Sequence, residues 1–327
     1  MSRERDVLLA LYRHYDDMER YAFMLGNRFA DYDEGEDAEL FYLLSDLFRY
    51  SFGNDRETKK RLETFRKKLI ELNERRFDRI LKMLDEEAED IIENEVLFLL
   101  LFYLEFFSVD LKKLTKEEMK QIYLYGFFYG LTRIQIFERV MNSSVNRIYE
   151  IVSAGMLNHI PMEDLINNVK KELGKTSENI ITETNGIVDG LINDATLAVA
   201  EKNKMLLKYC TMMDGRVCGK CMKYRDETFR YDSKDIPLIP QHPRCRCHWT
   251  LVTEDGKTGN FSEDIKFSDY YNSLSEREKK IRIGQSKYIG EKTGVYKLKD
   301  YETPVLGSGL SLAEVYDRDV KMLTITG

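Results

Sequence analysis

The sequence predicts a mainly α protein with one small antiparallel β module near its C-terminus, an α+β arrangement. Three observations carry this prediction. The 327 residues hold only five prolines, and glycines are few before residue 174, so little interrupts helices in the first half. Apolar residues there recur at spacings of three and four, the period of a helix with one buried face. From Leu206 the pattern changes. Residues 206–213 read as a short strand, Asp214-Gly215 as a turn, and residues 248–252 as a closing strand.

Residues 4–31 place Val7, Leu8, Leu11, Tyr15, Met18, Tyr21, Ala22 and Leu25 on one helical stripe, and the acidic run 31–37 breaks it. A second helix covers 39–50 and ends near Gly53-Asn54. Residues 55–93 read as one long charged helix, with Leu62, Phe65, Leu69, Leu72, Phe77, Ile80, Leu84, Ala88 and Ile91 as its apolar stripe. Its first part is basic: Lys59, Lys60, Arg61, Arg66, Lys67, Lys68, Arg75, Arg76, Arg79 and Lys82. A solvated face explains most such runs. Contact with DNA phosphates is the functional alternative, weakened by Glu63, Glu71, Glu74 and Asp78. Residues 94–111 and 116–141 are strongly apolar and aromatic and read as core helices of a bundle, in preference to a docking surface.

Residues 144–203 continue helical. Pro161 suits the first turn of a helix over 162–173, Gly174 is a stop, and Thr176 or Ser177 starts the next helix. Gly186 and Gly190 allow a close helix crossing, and Asn193 and Thr196 are polar positions inside an otherwise tight helix. Residues 253–262 form a polar loop, 267–294 turn helical again, and 296–327 read as a peripheral tail.

The chemistry concentrates between Cys218 and His248, which reads C-G-K-C and then H-P-R-C-R-C-H. Four of the five cysteines are here: Cys218, Cys221, Cys245 and Cys247. A C-x2-C turn aims two thiolates at one point, and a second pair closes a tetrahedron around Zn²⁺. Cys245 and Cys247 face one side of an extended segment, and His242 can replace one thiol. Four of Cys218, Cys221, His242, Cys245 and Cys247 are expected to bind one structural zinc ion. The result is a zinc-stapled module over 206–252, which would be marginal without a staple. Disulfides fit less well, since no secretory signal is visible and Cys210 is left odd. A redox pair would not bring a second pair of cysteines.

Hydrophobic content of 43% with 33% charged residues is ordinary for a soluble protein, and a reducing compartment is expected. The longest apolar run, 96–104, falls short of the roughly 20 residues that a membrane span needs. A net charge of -7 argues against non-specific nucleic-acid binding by the whole surface. The best local case is the metal region, with Arg216, Lys220, Lys223, Arg225, Arg230, Arg244 and Arg246. No phosphate loop, dinucleotide fingerprint, nucleophile elbow or H-E-x-x-H is present. His14 and His159 stand alone and read as surface or capping side chains. The sequence therefore points away from an enzyme; a hydrolase at an open zinc site is the weakest alternative.

Residues Thr211 to Cys221, T-x-x-D-x-R-x-C-x-x-C, followed by H-P-R-C-R-C at 242–247, resemble the phage Mu F-like minor head proteins. Asp214, Arg216, Cys218, Cys221, His242, Pro243, Cys245, Arg246 and Cys247 match the family pattern. The resemblance covers residues 145–295. One departure is Arg225-Asp226-Glu227, where many members carry an Asp-Gly turn. The resemblance implies a virion protein of a tailed phage or prophage. Such a protein enters the head with the portal protein, meets scaffold or capsid proteins, assists head morphogenesis in the host cytoplasm, and can contact double-stranded DNA in the head and during ejection. It implies three regions: a helical, portal-facing domain over 1–143, a head-morphogenesis domain over 144–295, and the tail.

Overall fold

The computed structural model describes residues 3–31, 34–49, 56–126, 128, 130–212, 217–259, 261, 266–295, 297 and 310–325. Among them the chain is mainly α, with one small antiparallel sheet. The helices are α1 (Arg3–Ala30), α2 (Glu34–Phe48), α3 (Arg56–Phe107), α4 (Lys116–Tyr125), α5 (Arg133–Leu157), α6 (Met162–Asn203), α7 (Gly219–Met222), α8 (Phe267–Ser273), α9 (Glu276–Ile283), α10 (Gln285–Lys292) and α11 (Leu312–Ile325). The strands are β1 (Leu206–Cys210), β2 (Thr228–Arg230) and β3 (His248–Val252), in spatial order β2-β1-β3. Strand β1 pairs antiparallel with both neighbours, Leu207 opposite Phe229 on one side and Leu251 on the other.

Helix boundaries differ from expectation where local signals are overruled. The two helices expected over 55–93 and 94–111 are one, α3, because no glycine or proline lies between Arg56 and Phe107. Gly174 does not stop α6. Thr176, expected near a helix start, instead donates to the Glu172 carbonyl at 3.1 Å and accepts from the Ser144 hydroxyl at 2.9 Å, inside the continuous helix. The stretch 116–141 is broken near Gly126 and Gly130, and a capping box of Thr132 and Gln135 starts α5. Residues 267–294 form three short helices, broken by the Ser275–Glu278 capping box and by Gly284, whose φ of 82° favours glycine.

The chain divides into two compact units. One comprises Met1–Leu25, Glu87–Gly130 and Thr184–Gly327; the other comprises Gly26–Glu86 and Leu131–Glu183. This division departs from the three consecutive regions expected at 1–143, 144–295 and 296–327, because α1, α3 and α6 each contribute to both units. The second unit packs helical stripes against each other: Leu40, Leu43, Leu44 and Leu47 of α2, Leu62, Phe65, Leu69 and Leu72 of α3, Val145, Ile148, Val152 and Met156 of α5, and Leu165, Val169 and Leu173 of α6.

The first unit contains the sheet. Its core takes the aromatic run of α3, with Phe98, Phe102, Tyr103 and Phe106 buried, and Leu207, Tyr209, Trp249 and Leu251 of the sheet. The aromatic stretches thus serve burial, although Tyr125 stays exposed. Gly190 of α6 is needed for a ring rather than for a helix crossing. A Cβ there would meet Phe128 at 2.0 Å. Gly190→Ala is expected to destabilise the protein by about 1–3 kcal/mol through overpacking, read as a shift in the urea midpoint at unchanged slope.

Of the tail expected over 296–327, only 297 and 310–325 are described, and α11 within it is not peripheral. Asp319 of α11 is buried and bonds His14 of α1. His14 is likewise not a surface or capping group. It is fully buried, with Nδ1 2.8 Å from Asp319 and Nε2 2.9 Å from Glu95, and it stacks on Phe98 at 3.6 Å between ring centroids. Beside it, Asp16 takes a fork of bonds from the buried Arg282 at 2.9 Å, and Asp17 accepts from Arg20 at 2.9 Å and Arg318 at 2.6 Å. Each charge is paired, as burial requires. His159, by contrast, is exposed in the turn after α5.

Candidate metal centre

The first metal turn begins at Cys218, the N-cap of the single-turn helix α7. The cap geometry brings the Cys221 amide toward the Cys218 sulfur at 3.5 Å and sets the two Sγ atoms 3.5 Å apart. The second turn is closed by the Cys245 amide, which donates to the His242 carbonyl at 3.0 Å, with Arg244 at φ 61° in the bend. His242 Nδ1 donates to the Pro243 carbonyl at 2.8 Å, which leaves the Nε2 lone pair for other work. That nitrogen stands 3.0 Å from Cys218 Sγ and 3.3 Å from Cys221 Sγ. Cys221 Sγ lies 3.8 Å from Cys245 Sγ.

These residues form two overlapping groups, Cys218–Cys221–His242 and Cys221–Cys245–Cys247, each with its ligand atoms within 4.8 Å of one another. Cys221 belongs to both. Two thiolates at about 2.3 Å from a tetrahedral Zn²⁺ would stand about 3.8 Å apart, so the observed sulfur spacings fit a shared ion.

Electrostatics favour a cation here. Hydrogen bonds with Cys245, then burial, push the Cys221 thiol up to about 12, and bonds with Cys221 and Cys245 push Cys247 up further. The bonds from Cys221 and Cys247 hold Cys245 down to about 2. The thiols crowd around one negative charge, and a divalent cation allows them to ionise together. Burial alone would lower His242, but the Pro243 carbonyl and the Cys245 and Cys218 sulfurs outweigh it and raise its pKa.

The scaffold behind the turns was only partly visible in the sequence. Strand β3 is a sheet edge, and its outer backbone groups are met by side chains. The Trp249 amide donates to Asn193 Oδ1 at 2.9 Å, and Asn193 Nδ2 donates to the Cys247 carbonyl at 3.3 Å. Tyr103 OH accepts from the Leu251 amide at 2.7 Å and donates to its carbonyl at 2.6 Å. Asn193 had stood out as a polar residue inside a tight helix, whereas Tyr103 had no signal beyond its place in an aromatic run. His248 is not grouped with the ligands; it is buried and stacks on Tyr15 at 3.8 Å.

The residues expected to contact nucleic acid differ in exposure and pairing. Lys220, Lys223 and Arg244 are exposed around the two turns, and Arg246 is half-buried. Lys223 lies 5.0 Å over the Tyr224 ring. Arg225 pairs with Asp226 at 3.3 Å, and Arg230 forks onto Asp232 at 3.0 and 3.1 Å. Arg216 and the Asp214-Gly215 turn lie outside the described residues. Asp226 adopts φ 64°, so an aspartate supplies the left-handed residue that an Asp-Gly turn would provide. No helix among the described residues is long and apolar enough to cross a membrane. No family model, curated protein or solved structure matches this chain.

Proposed function

We propose that the chain is a minor head protein of a tailed phage or prophage, without catalytic activity, whose 206–252 region is stapled by one structural zinc ion held by four of Cys218, Cys221, His242, Cys245 and Cys247. The observation that carries this reading is the convergence of the two sequence blocks. The C-x2-C and H-P-R-C-R-C segments resemble the Mu F-like pattern in order and residue type, and their sulfur and nitrogen atoms form two close groups that share Cys221. On this reading the protein would meet the portal protein and act in the virion head after assembly in the host cytoplasm. Co-expression with the portal protein of the same genome, followed by affinity capture, tests the reading. Stoichiometric portal retention is the expected result. No retention, together with normal particle yield when the chain is deleted, would remove it.

A second reading is a zinc-stapled module that binds nucleic acid, favoured by the exposed Lys220, Lys223 and Arg244 on the metal turns. It is compatible with the first.

A further inference from the structure

The four cysteines of the metal turns are not equally open to reagents. Cys221, Cys245 and Cys247 are buried, with 3%, 1% and 5% exposure, whereas Cys218 is half-buried and is the one that a dissolved solute reaches. Cys221 is the only cysteine grouped with Cys218, and their Sγ atoms are 3.5 Å apart. Residues three apart on a helical turn have Cα atoms roughly 5 Å apart, inside the span of a disulfide. Cys221 is also the ligand that the two groups share. The accessible thiol therefore stands beside the one whose loss breaks both groups. The second pair, Cys245 and Cys247, is buried and does not compete for the reagent. Cys210 is half-buried but belongs to neither group, and its Sγ lies 3.4 Å from Thr250 Oγ1. Burial pushes its thiol up to about 11, which keeps it protonated and slow to react.

We infer, on the staple reading above, that Cys218 and Cys221 form a peroxide-sensitive dithiol whose closure to a disulfide undoes the metal centre. A bound divalent cation holds its cysteines as thiolates, the form that reacts with peroxide. The Cys218 thiolate attacks one oxygen of hydrogen peroxide. The S–O bond forms, the O–O bond breaks, and the departing hydroxide takes a proton from solvent and leaves as water. The sulfur, oxidised by two electrons, is now a sulfenic acid. The Cys221 thiolate then attacks it. The S–S bond forms, the S–O bond breaks, and the second hydroxide also takes a proton and leaves as water. In sum, two thiolates, one peroxide and two protons give a disulfide and two waters. Only His242, Cys245 and Cys247 then remain, short of the four ligands of a structural zinc site. On the phage reading, the chain passes from a reducing host cytoplasm to a free particle, a setting in which disulfides form and persist. The centre would be closed during assembly and opened outside the cell.

The test uses the full chain as purified, with its zinc counted first. A metal-free parent would refute the staple, while the mapping of thiols would still decide the oxidation. Hydrogen peroxide is added in small molar excess, and released zinc is followed with a colorimetric chelator. Thiols are alkylated before and after reduction and located by peptide mass spectrometry. A linkage between Cys218 and Cys221 should appear in step with release of about one zinc per chain. Dithiothreitol with added Zn²⁺ should reverse both. Cys218→Ser keeps the Cys221–Cys245–Cys247 group whole and should release zinc at least about ten-fold more slowly. If that variant purifies without zinc, the linkage mapped in the parent decides alone. Cys210→Ser should behave as the parent does. Zinc lost while Cys218 and Cys221 stay open to alkylation would overturn the inference. So would a first disulfide between Cys245 and Cys247, or intact thiols at peroxide levels that oxidise free glutathione.

Discussion

Cys221→Ser should abolish metal binding and release the segment 217–247, the largest single-residue effect expected in this protein. Cys221 is the one residue common to both ligand groups; without it Cys218, His242, Cys245 and Cys247 remain, but neither group keeps more than two of its ligands. Little else holds the segment: β2 has three residues and α7 four. Metal binding in structural zinc sites contributes on the order of 10 kcal/mol or more to folding, comparable with the whole stability of a domain. Elemental analysis should find about one zinc per parent chain and none in the variant. Hydrogen exchange should show protection lost over 217–247 in the variant or after chelation. The amides of Trp249 and Leu251 should hold longest, because Asn193 and Tyr103 bond them from outside the module. A metal-free parent, with a variant that exchanges and melts as the parent does, would refute the staple.

His14→Ala should cost about 3–5 kcal/mol, because it leaves Glu95 and Asp319 buried without their cation. The same site predicts a pH dependence. Burial opposes the charge on His14, but the two carboxylates outweigh it and raise its pKa from 6.5 to about 10. The folded value lies above the unfolded one, so the stabilisation is complete below about pH 6.5 and is lost as pH rises toward 10. Urea midpoints measured from pH 6 to 10 should fall steadily for the parent and much less for His14→Ala. Parallel decline in both would place the effect elsewhere.

The division between what sequence reveals and what it hides follows the range of the interactions. The helical stripes of α1 and α3 and the extended segments that become β1 and β3 are local patterns, readable at periods of 3.6 and 2. The cluster of Cys218, Cys221, His242, Cys245 and Cys247 was legible because C-x2-C and H-P-R-C constrain backbone turns within four residues. His14 was misread because its partners are 81 and 305 residues away, and nothing near it in sequence marks them. The partner of Thr176 inside α6 is likewise distant, Ser144, thirty-two residues earlier. The nesting of the two units escaped for a related reason: long helices carry one uninterrupted local signal while their two ends serve different cores.

That nesting also sets an order of events during synthesis. Every segment of the inner unit, 26–86 and 131–183, has left the ribosome well before the outer unit has its last strand or α11. At about 5–20 residues per second, Asp319 follows His14 by roughly 15–60 s. For most of that interval α1 exposes Asp16 and Asp17 before first Arg282 and then Arg318 is made. The unit of 26–86 and 131–183 should therefore fold before the other is complete, and the charges of α1 give the nascent chain a helix that remains solvated while it waits for its partners.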